Sequence, residues 1–480
     1  MASTFAGLSI SSRGLFTSAA ALEVTSNNIS NANTTGYSRQ VVNQKAVGPA
    51  AVYNGSYIGS GSEITSVTSV RNFRLDQKYW RESGQLGELT TKSDMLSQIE
   101  DVIGDTDDNS LTAVLDDFYS AMEDLSSDPS SSATRAAMKE AGVAVSEYLN
   151  TVSAQLTQLR EDANNEVKTS VDQINSYASQ IATLNTKIRV ATASGSSTNE
   201  LEDQRTLLID ELSSIVDVAV TKTVVGQLAD GSDDIKLSVS ISGSTVVNDG
   251  VAQQLAYSEN DEGLYSIRWQ DTGASFEATG GQLKASLDLR DGSGTDSEYK
   301  GIPYYLNQLD EFASTFAEAF NEVHASGYGL DGSTGIDFFT SGDSSSTTIT
   351  AANMTLSADV LEDTDKIAAA SAADDGSDNN KNMAALIELC EESEMFGSGT
   401  AEDFINSIIS TLGTASEHAA TMTSKQSTFV TNIDSRRASV SGVSTNEETA
   451  NLTKYEAAYN ASAQMISVWQ EVYETTINMV

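Results

Sequence analysis

The sequence predicts a mainly α, elongated, multidomain protein. Its ends form a coiled coil of paired N- and C-terminal helices, its body is a bundle of long helices, and a β-rich insertion makes a small outer domain. Three observations predict this. Apolar residues recur every seventh position at both ends, the spacing of helices that wrap around a partner. Leu8, Leu15, Leu22 and Ile29 do so near the start, and Leu452, Tyr459, Ile466, Tyr473 and Val480 near the finish. Only Pro49, Pro129 and Pro303 interrupt 480 residues, which permits very long helices. From about Val216 to Glu277 the period drops to two and glycines punctuate the chain, the pattern of strands and turns. A chain of this length exceeds one compact core, so about three domains are expected.

The terminal helices carry a second, thinner stripe. Phe5, Ser12, Ala19 and Ser26 form it at the start; Tyr455, Ser462, Trp469 and Thr476 form it at the end. Small residues let helices approach closely but bury little surface. The ends are therefore expected to pair weakly until something larger surrounds them. Between Met1 and Lys45 the only charges are Arg13, Glu23, Arg39 and Lys45. A free surface helix normally charges its outer face. This one offers Ser, Thr, Asn and Ala, a face suited to being covered.

The run from Asn27 through Asn28, Asn31, Asn33, Gly36 and Tyr37 to Arg39 should end the first helix in a compact turn. Asn side chains compete for backbone hydrogen bonds and Gly36 permits positive φ. Val52 to Val70 reads as an extended or hairpin segment. Helix resumes from Asn72, with Leu89, Leu96 and Ile103 seven apart, and again over Leu111 to Leu125 until Asp128-Pro129 breaks it. Ser132 to Ala193 is the longest helical pattern, with seams Val145/Val152/Leu159 and Val167/Ile174/Ile181/Ile188. One helix there would be roughly 90 Å long; two helices kinked near Asp162 to Asn165 are the alternative. In the β-rich insertion Ile235, Leu237, Val239 and Ile241 alternate, and Leu264 to Trp269 gives another strand. Helix returns over Pro303 to Val323, Asn379 to Cys390 and Ala401 to Ala438, the last antiparallel to the early helices. Ser444 and Glu447 have capping-box spacing, so a final helix starts there. The expected domains are 1–50 with 441–480, then 51–215 with 300–440, and 216–299 outermost.

Composition excludes several functions. Lys and Arg total 27 against 68 Asp and Glu, a formal charge of −41. Duplex nucleic acid and anionic membranes both need a basic footprint, so neither is an expected partner. The acid suits a salty medium, where screening relieves self-repulsion, and suggests a salt-tolerant or marine source. No apolar run is long enough to span a membrane, and the start lacks the basic head and apolar core of a cleavable secretory signal. Cys390 is the only cysteine and reads as a packing residue. His324 and His418 share no ligand spacing, so no zinc site, histidine-based triad or other cofactor site is expected. His324 reads as a polar edge residue of the Phe312/Phe316/Phe320 helix. Asp105, Asp107 and Asn109 match positions one, three and five of a calcium loop, but Ser110 replaces the glycine and Asp116 the glutamate. Helix capping explains the same residues. No enzyme is expected.

Five segments carry a family resemblance. The Asn27–Arg39 turn resembles the N-terminal motif of axial proteins of the bacterial flagellum. The run Ser441–Glu448, followed by Asn451-Leu452, Tyr455 and Tyr459, resembles their C-terminal motif, with Ser444-Thr445 standing where the family usually has apolar or amide residues. The central segment Gly280-Gly281-Gln282-Leu283 through Arg290-Asp291 is similar to one typical of the hook-associated protein 1 family. So are Leu306 to Leu330, with Phe312, Phe316, Phe320 and His324, and the loop Gly335 to Phe339. The resemblance implies a non-catalytic joint between hook and filament at the extracellular hook–filament junction. It implies a ring of its own copies, hook protein and hook-associated protein 3 as neighbours, a small export chaperone on the C-terminal helix, and signal-less type III export. It makes Leu8, Leu15, Leu22, Ile29, Leu452, Tyr455, Tyr459, Ile466, Trp469 and Tyr473 the expected assembly interface. Two alternatives stand beside it: another axial subunit such as a hook or rod protein, and a secreted adhesin that binds through its β domain.

Overall fold

A computed structural model describes residues 6–48, 51–53, 56–104, 110–228, 233–295, 298–343, 345–373, 376–390, 395–397 and 399–479, leaving aside the side chains of 51–58. Phe5, Val480 and the calcium-loop pattern at Asp105, Asp107 and Asn109 lie outside these residues.

The first helix, α1 (Ala6–Ser30), leads through the asparagine-rich turn into strands β1 (Gln40–Ala46), β2 (Ala51–Tyr53), β3 (Ser56–Ile58) and β4 (Ser62–Ser69). β1 and β4 pair antiparallel, as do β2 and β3, so this segment is one extended hairpin beside α1. Helix α2 (Phe73–Ile103) starts where Asn72 caps it, and α3 (Leu111–Ser127) where Ser110 does. Then comes α4 (Ser132–Ala193), 62 residues in one unbroken helix. The alternative break near Asp162 to Asn165 does not occur, and there Asn164 uses its side chain outside the helix, on Gly263 and Tyr265.

Helix α5 (Asn199–Ile215) returns along α4 and feeds β5 (Val218–Gln227), β6 (Asp233–Ile241), β7 (Ser244–Asn248) and β8 (Val251–Ala252), an antiparallel sheet in chain order. β9 (Leu255–Glu259) and β10 (Tyr265–Trp269) make a separate hairpin. Helices α6 (Gly281–Asp291) and α7 (Ile302–Ser326) follow, then the pair β11 (Phe339–Ser341) and β12 (Met354–Leu356), α8 (Ala358–Glu362) and α9 (Lys381–Cys390). α10 (Ala401–Ser441) packs along α2, and α11 (Thr445–Asn478) packs along α1. No helix among the described residues is long and apolar enough to cross a membrane.

Two cores share α4 as their spine. Its first half, with Met138, Val145, Leu149 and Leu156, joins α3, α7, α9 and the start of α10. The rings of Phe118, Phe316, Phe320, Phe338 and Phe339 meet there. The second half of α4, with Val167, Ile174 and Ile181, packs against α5 and the inner faces of β5, β6 and β7. Asn164, Asn175 and Asn185 of α4 supply its polar fit to the strands. Asn175 both donates to the Leu255 carbonyl and accepts from its N–H, each across 2.8 Å, as a neighbouring strand would. Asn164 accepts from Tyr265 N–H at 2.8 Å and Asn185 donates to the Asp249 carbonyl at 2.8 Å.

His324 is fully buried in the first core, not at an edge. Its Nε2 accepts from Ala368 N–H at 3.0 Å, which fixes Nδ1 as the protonated nitrogen donating to the Ile336 carbonyl at 2.7 Å. Burial pulls its pKa down to about 4. It is a neutral connector between α7 and two loops. Cys390 is buried in the same core, and Tyr119 and Tyr305 are pushed above the usual phenol range by burial there.

Candidate assembly interface and its junction with the body

The two ends of the chain pair antiparallel in one register. The α-carbon of Gly7 faces the Trp469 indole so closely that a methyl group there would overlap the ring. Seven residues on, a Cβ at Gly14 would lie 3.0 Å from Ser462 Oγ. Fourteen further, Asn28 Nδ2 donates to Glu448 Oε2 at 3.1 Å. Steps of seven up α1 match steps of seven down α11, the repeat of a coiled coil.

The buried seam of α1 is small and polar: Ser11, Thr17, Ser18, Ala21, Thr25 and Asn28. Leu8, Leu15, Leu22 and Ile29 run along its flank and are half-buried, and the thin stripe of Ser12, Ala19 and Ser26 is not the seam either. The reason is steric. α11 brings its large side chains to the contact, with Leu452, Tyr455, Tyr459, Ile466, Trp469 and Tyr473 all half-buried, so α1 must present glycine, alanine and serine. Glu448 alone is fully buried on α11. Such a pair hides little apolar surface.

The asparagine-rich turn is a clasp built on Asn28. Its side chain donates to the Gln40 carbonyl and accepts from the Gln40 N–H, each at 2.9 Å. Tyr37 Oη donates to the same Asn28 oxygen at 2.9 Å. Burial, with Glu200, Asp203 and Glu448 nearby, pushes the Tyr37 phenol up to about 12, so it stays a donor. Asn31 donates to Asn27 Oδ1 at 2.8 Å and Gly36 turns the chain at φ +79° beside Leu207; Asn33 is exposed. Arg39 then ties the turn to α11. Its N–H donates to the Ser441 carbonyl at 2.8 Å, Nη1 donates to Glu447 at 3.0 Å, and Nε lies 2.9 Å from Glu448 as an ion pair bent away from a linear hydrogen bond. Ser444 caps α11 through Glu447 N–H, while the Glu447 carboxylate goes to Arg39 instead of closing the box.

A buried ionic cluster joins this clasp to the body. Ser38 N–H donates to Asp203 at 2.8 Å, and Arg71 bridges Asp203 at 2.9 Å and Asp76 at 3.1 Å. Arg437 of α10 reaches Asp76 and Asp210, both at 2.9 Å, and lies 4.2 Å from the Tyr79 ring centre. Burial opposes charge on Arg437, but Asp210 and Asp76 outweigh it and hold the guanidinium protonated. Trp80 Nε1 donates to Asp210 at 2.6 Å. The cluster thus links α2, α5, α10 and the turn. None of these residues stood out in the sequence. One signal was there: Val430, Ile433 and Arg437 share a helical face, so Arg437 occupies a core position.

Comparison with known proteins bears on all of this at once. Residues 96–339 match the family described as the flagellar hook-associated protein FlgK helical domain, and residues 8–37 match the flagella basal body rod protein family. Flagellar hook-associated protein 1 of Bacillus subtilis (strain 168) is 33% identical over 500 residues, covering 100% of this chain and 99% of that protein. This chain belongs to the hook-associated protein 1 family. The Escherichia coli (strain K12) member is 27% identical over 555 residues, covering 97% of this chain and 98% of its own length. The solved flagellar hook junction protein FlgK from Burkholderia pseudomallei shares the fold, with a TM-score of 0.65 at 15% identity over 76% of this chain and 100% of that one.

The family segment in the middle of the chain occupies a second junction. Gly281 has φ +82°, and a Cβ there would overlap the Ile215 carbonyl and Val216 N where α5 turns into β5. Gly280 is extended and open to substitution. Leu283 points into the second core and Leu289 into the first, so α6 is pinned to both. Arg290, buried, donates to Asn164 at 2.9 Å and to the Tyr265 carbonyl at 2.8 Å, and pairs with Asp291 at 2.7 Å. The segment couples α4, α6 and the β9–β10 hairpin. No group of three or more His, Cys, Asp or Glu placed to hold a metal occurs among the described residues.

Proposed function

We propose that the chain works as a structural joint whose ends assemble and whose body holds those ends at a fixed attitude. It is a structural protein of the bacterial flagellum, connecting hook to filament. The mechanical problem is to join two helical tubes that bend differently, and no covalent chemistry is required. The observation that carries the reading is the antiparallel α1–α11 pair. It buries a small polar seam and leaves large side chains half-covered, so further burial is left for neighbours to supply.

In this reading the terminal segments 1–50 and 441–480 line the inner wall with further copies of the chain arranged in a ring. The helical body, 51–215 with 300–440, forms the outer wall, and residues 216–299 face solvent outside the cell. Hook protein lies on the cell-proximal side and hook-associated protein 3 on the distal side. A small cytoplasmic chaperone covers the stripe of Tyr455, Tyr459, Ile466, Trp469 and Tyr473 before export without a cleavable signal, because that stripe is only half-buried in the free chain. Gene deletion tests the joint. Cells that build hooks, secrete monomeric flagellin and grow no filament support it; cells without hooks point to another axial role.

A further inference from the structure

Helix α11 carries a second heptad seam beside the one that meets α1. Ala458, Met465 and Val472 are seven apart, with Met479 next in step at the helix C-cap, and Ala461, Val468 and Thr475 run beside them. This line lies roughly a quarter-turn around the helix from the inner seam. It holds no charge, and all seven residues are exposed; Met465, Val468 and Val472 keep 46%, 49% and 44% of their surface open. Such a two-line apolar repeat is what a helix presents to another helix.

On α1, Phe16 is the large apolar side chain left exposed among the described residues, at 67%. By heptad phase it points directly away from the Ser11/Ser18/Thr25 seam, so it cannot reach α11 of its own chain. Its neighbours on that outer face are Ser9, Glu23 and Ser30.

We propose that the outer seam of α11 receives the Phe16 face of α1 from a second copy of this chain. Three things favour that occupant. The seam is continuous with the α1–α11 contact within the chain, so the same kind of helix extends it. The outer face of α1 offers one bulky apolar knob, and the seam offers holes between Met465, Val468 and Val472. Each copy carries one donor face, on α1, and one acceptor face, on α11, which point in different directions from its helix pair. A contact of that kind is head-to-tail, so it repeats from copy to copy and closes into a ring where the rotation between copies divides a full turn. The proposal rests on the assembly reading above and deepens it by naming the surface.

Cysteine cross-linking in isolated hook–filament structures tests it. Cys390 is buried, so introduced cysteines report alone. A strain making both Phe16→Cys and Val468→Cys chains should yield disulfide-linked dimers on mild oxidation, and strains making either alone should not. Val468→Cys dimers in the single-variant strain, or intact joints with no cross-link, overturn the proposal. Val468→Glu should be secreted at the normal level yet reduce filament number at least tenfold; normal filaments overturn the seam. Filament growth after deletion of Leu452–Asn478 would instead remove the assembly reading itself.

Discussion

Asn28 and Glu448, 420 residues apart in sequence, share a buried hydrogen bond of 3.1 Å that locks the first helix to the last. Around it, one asparagine side chain completes the backbone of Gln40, accepts from Tyr37 and donates to Glu448. The clasp therefore sets where the terminal pair leaves the body.

Removing Glu448 leaves Asn28 and Arg39 without their shared partner in a buried place. Glu448→Ala should weaken the terminal pair by about 2–4 kcal/mol. Glu448→Gln keeps the acceptor and should lose about half as much. Amide exchange of α1 and α11 measures both, with faster exchange expected in the order alanine, glutamine, parent.

Arg437 neutralises Asp76 and Asp210 together, so Arg437→Met takes from buried Asp210 its ion-pair partner among the described residues and leaves Asp76 with Arg71 alone. The expected loss is about 3–5 kcal/mol, and adding Asp210→Asn should recover part of it. Thermal unfolding of the two variants decides. Additive losses would mean that the pair does not interact.

Gly281→Ala places a methyl group against the Ile215 carbonyl at a backbone angle that disfavours alanine. A loss of roughly 2–4 kcal/mol is expected from strain and overlap. Gly280→Ala, one residue away on extended backbone, should change the melting temperature little. Equal effects at the two positions would contradict this account of the segment.

His324 makes the first core acid-sensitive. Its unfolded imidazole takes up a proton near pH 6.5, whereas the buried one resists until about pH 4. Between those values the unfolded state binds more protons, so stability falls as pH falls through that window and levels off below it. The full effect is about 3 kcal/mol. Exchange protection of α7 between pH 7 and pH 4 reports it, and the slope should flatten in His324→Gln.

The sequence announced the regular parts well. The heptads of Val145 to Ile188 marked α4, and Asn72, Ser110 and Ser444 marked helix starts, because periodicity and caps are local signals. The terminal seam was harder. The largest apolar residues of α1, Leu8 to Ile29, pointed to the contact, but its buried face is the small one, since Trp469 and its neighbours fill the space. Period alone does not say which of two apolar lines faces a partner. His324 was misplaced for a related reason: Ile336 and Ala368, which satisfy its nitrogens, lie 12 and 44 residues away. The ionic cluster and the Asn164, Asn175 and Asn185 contacts likewise depend on partners that only the fold brings together.

The central claim is that the paired ends are the assembly element of a joint between hook and filament. Electron cryomicroscopy of the hook–filament junction from cells carrying this gene tests it most directly. The account predicts a ring of this chain between the two tubes, with α1 and α11 at the inner wall and residues 216–299 outermost. A junction without this chain, or one in which α1 and α11 lie on the outer surface, would contradict it.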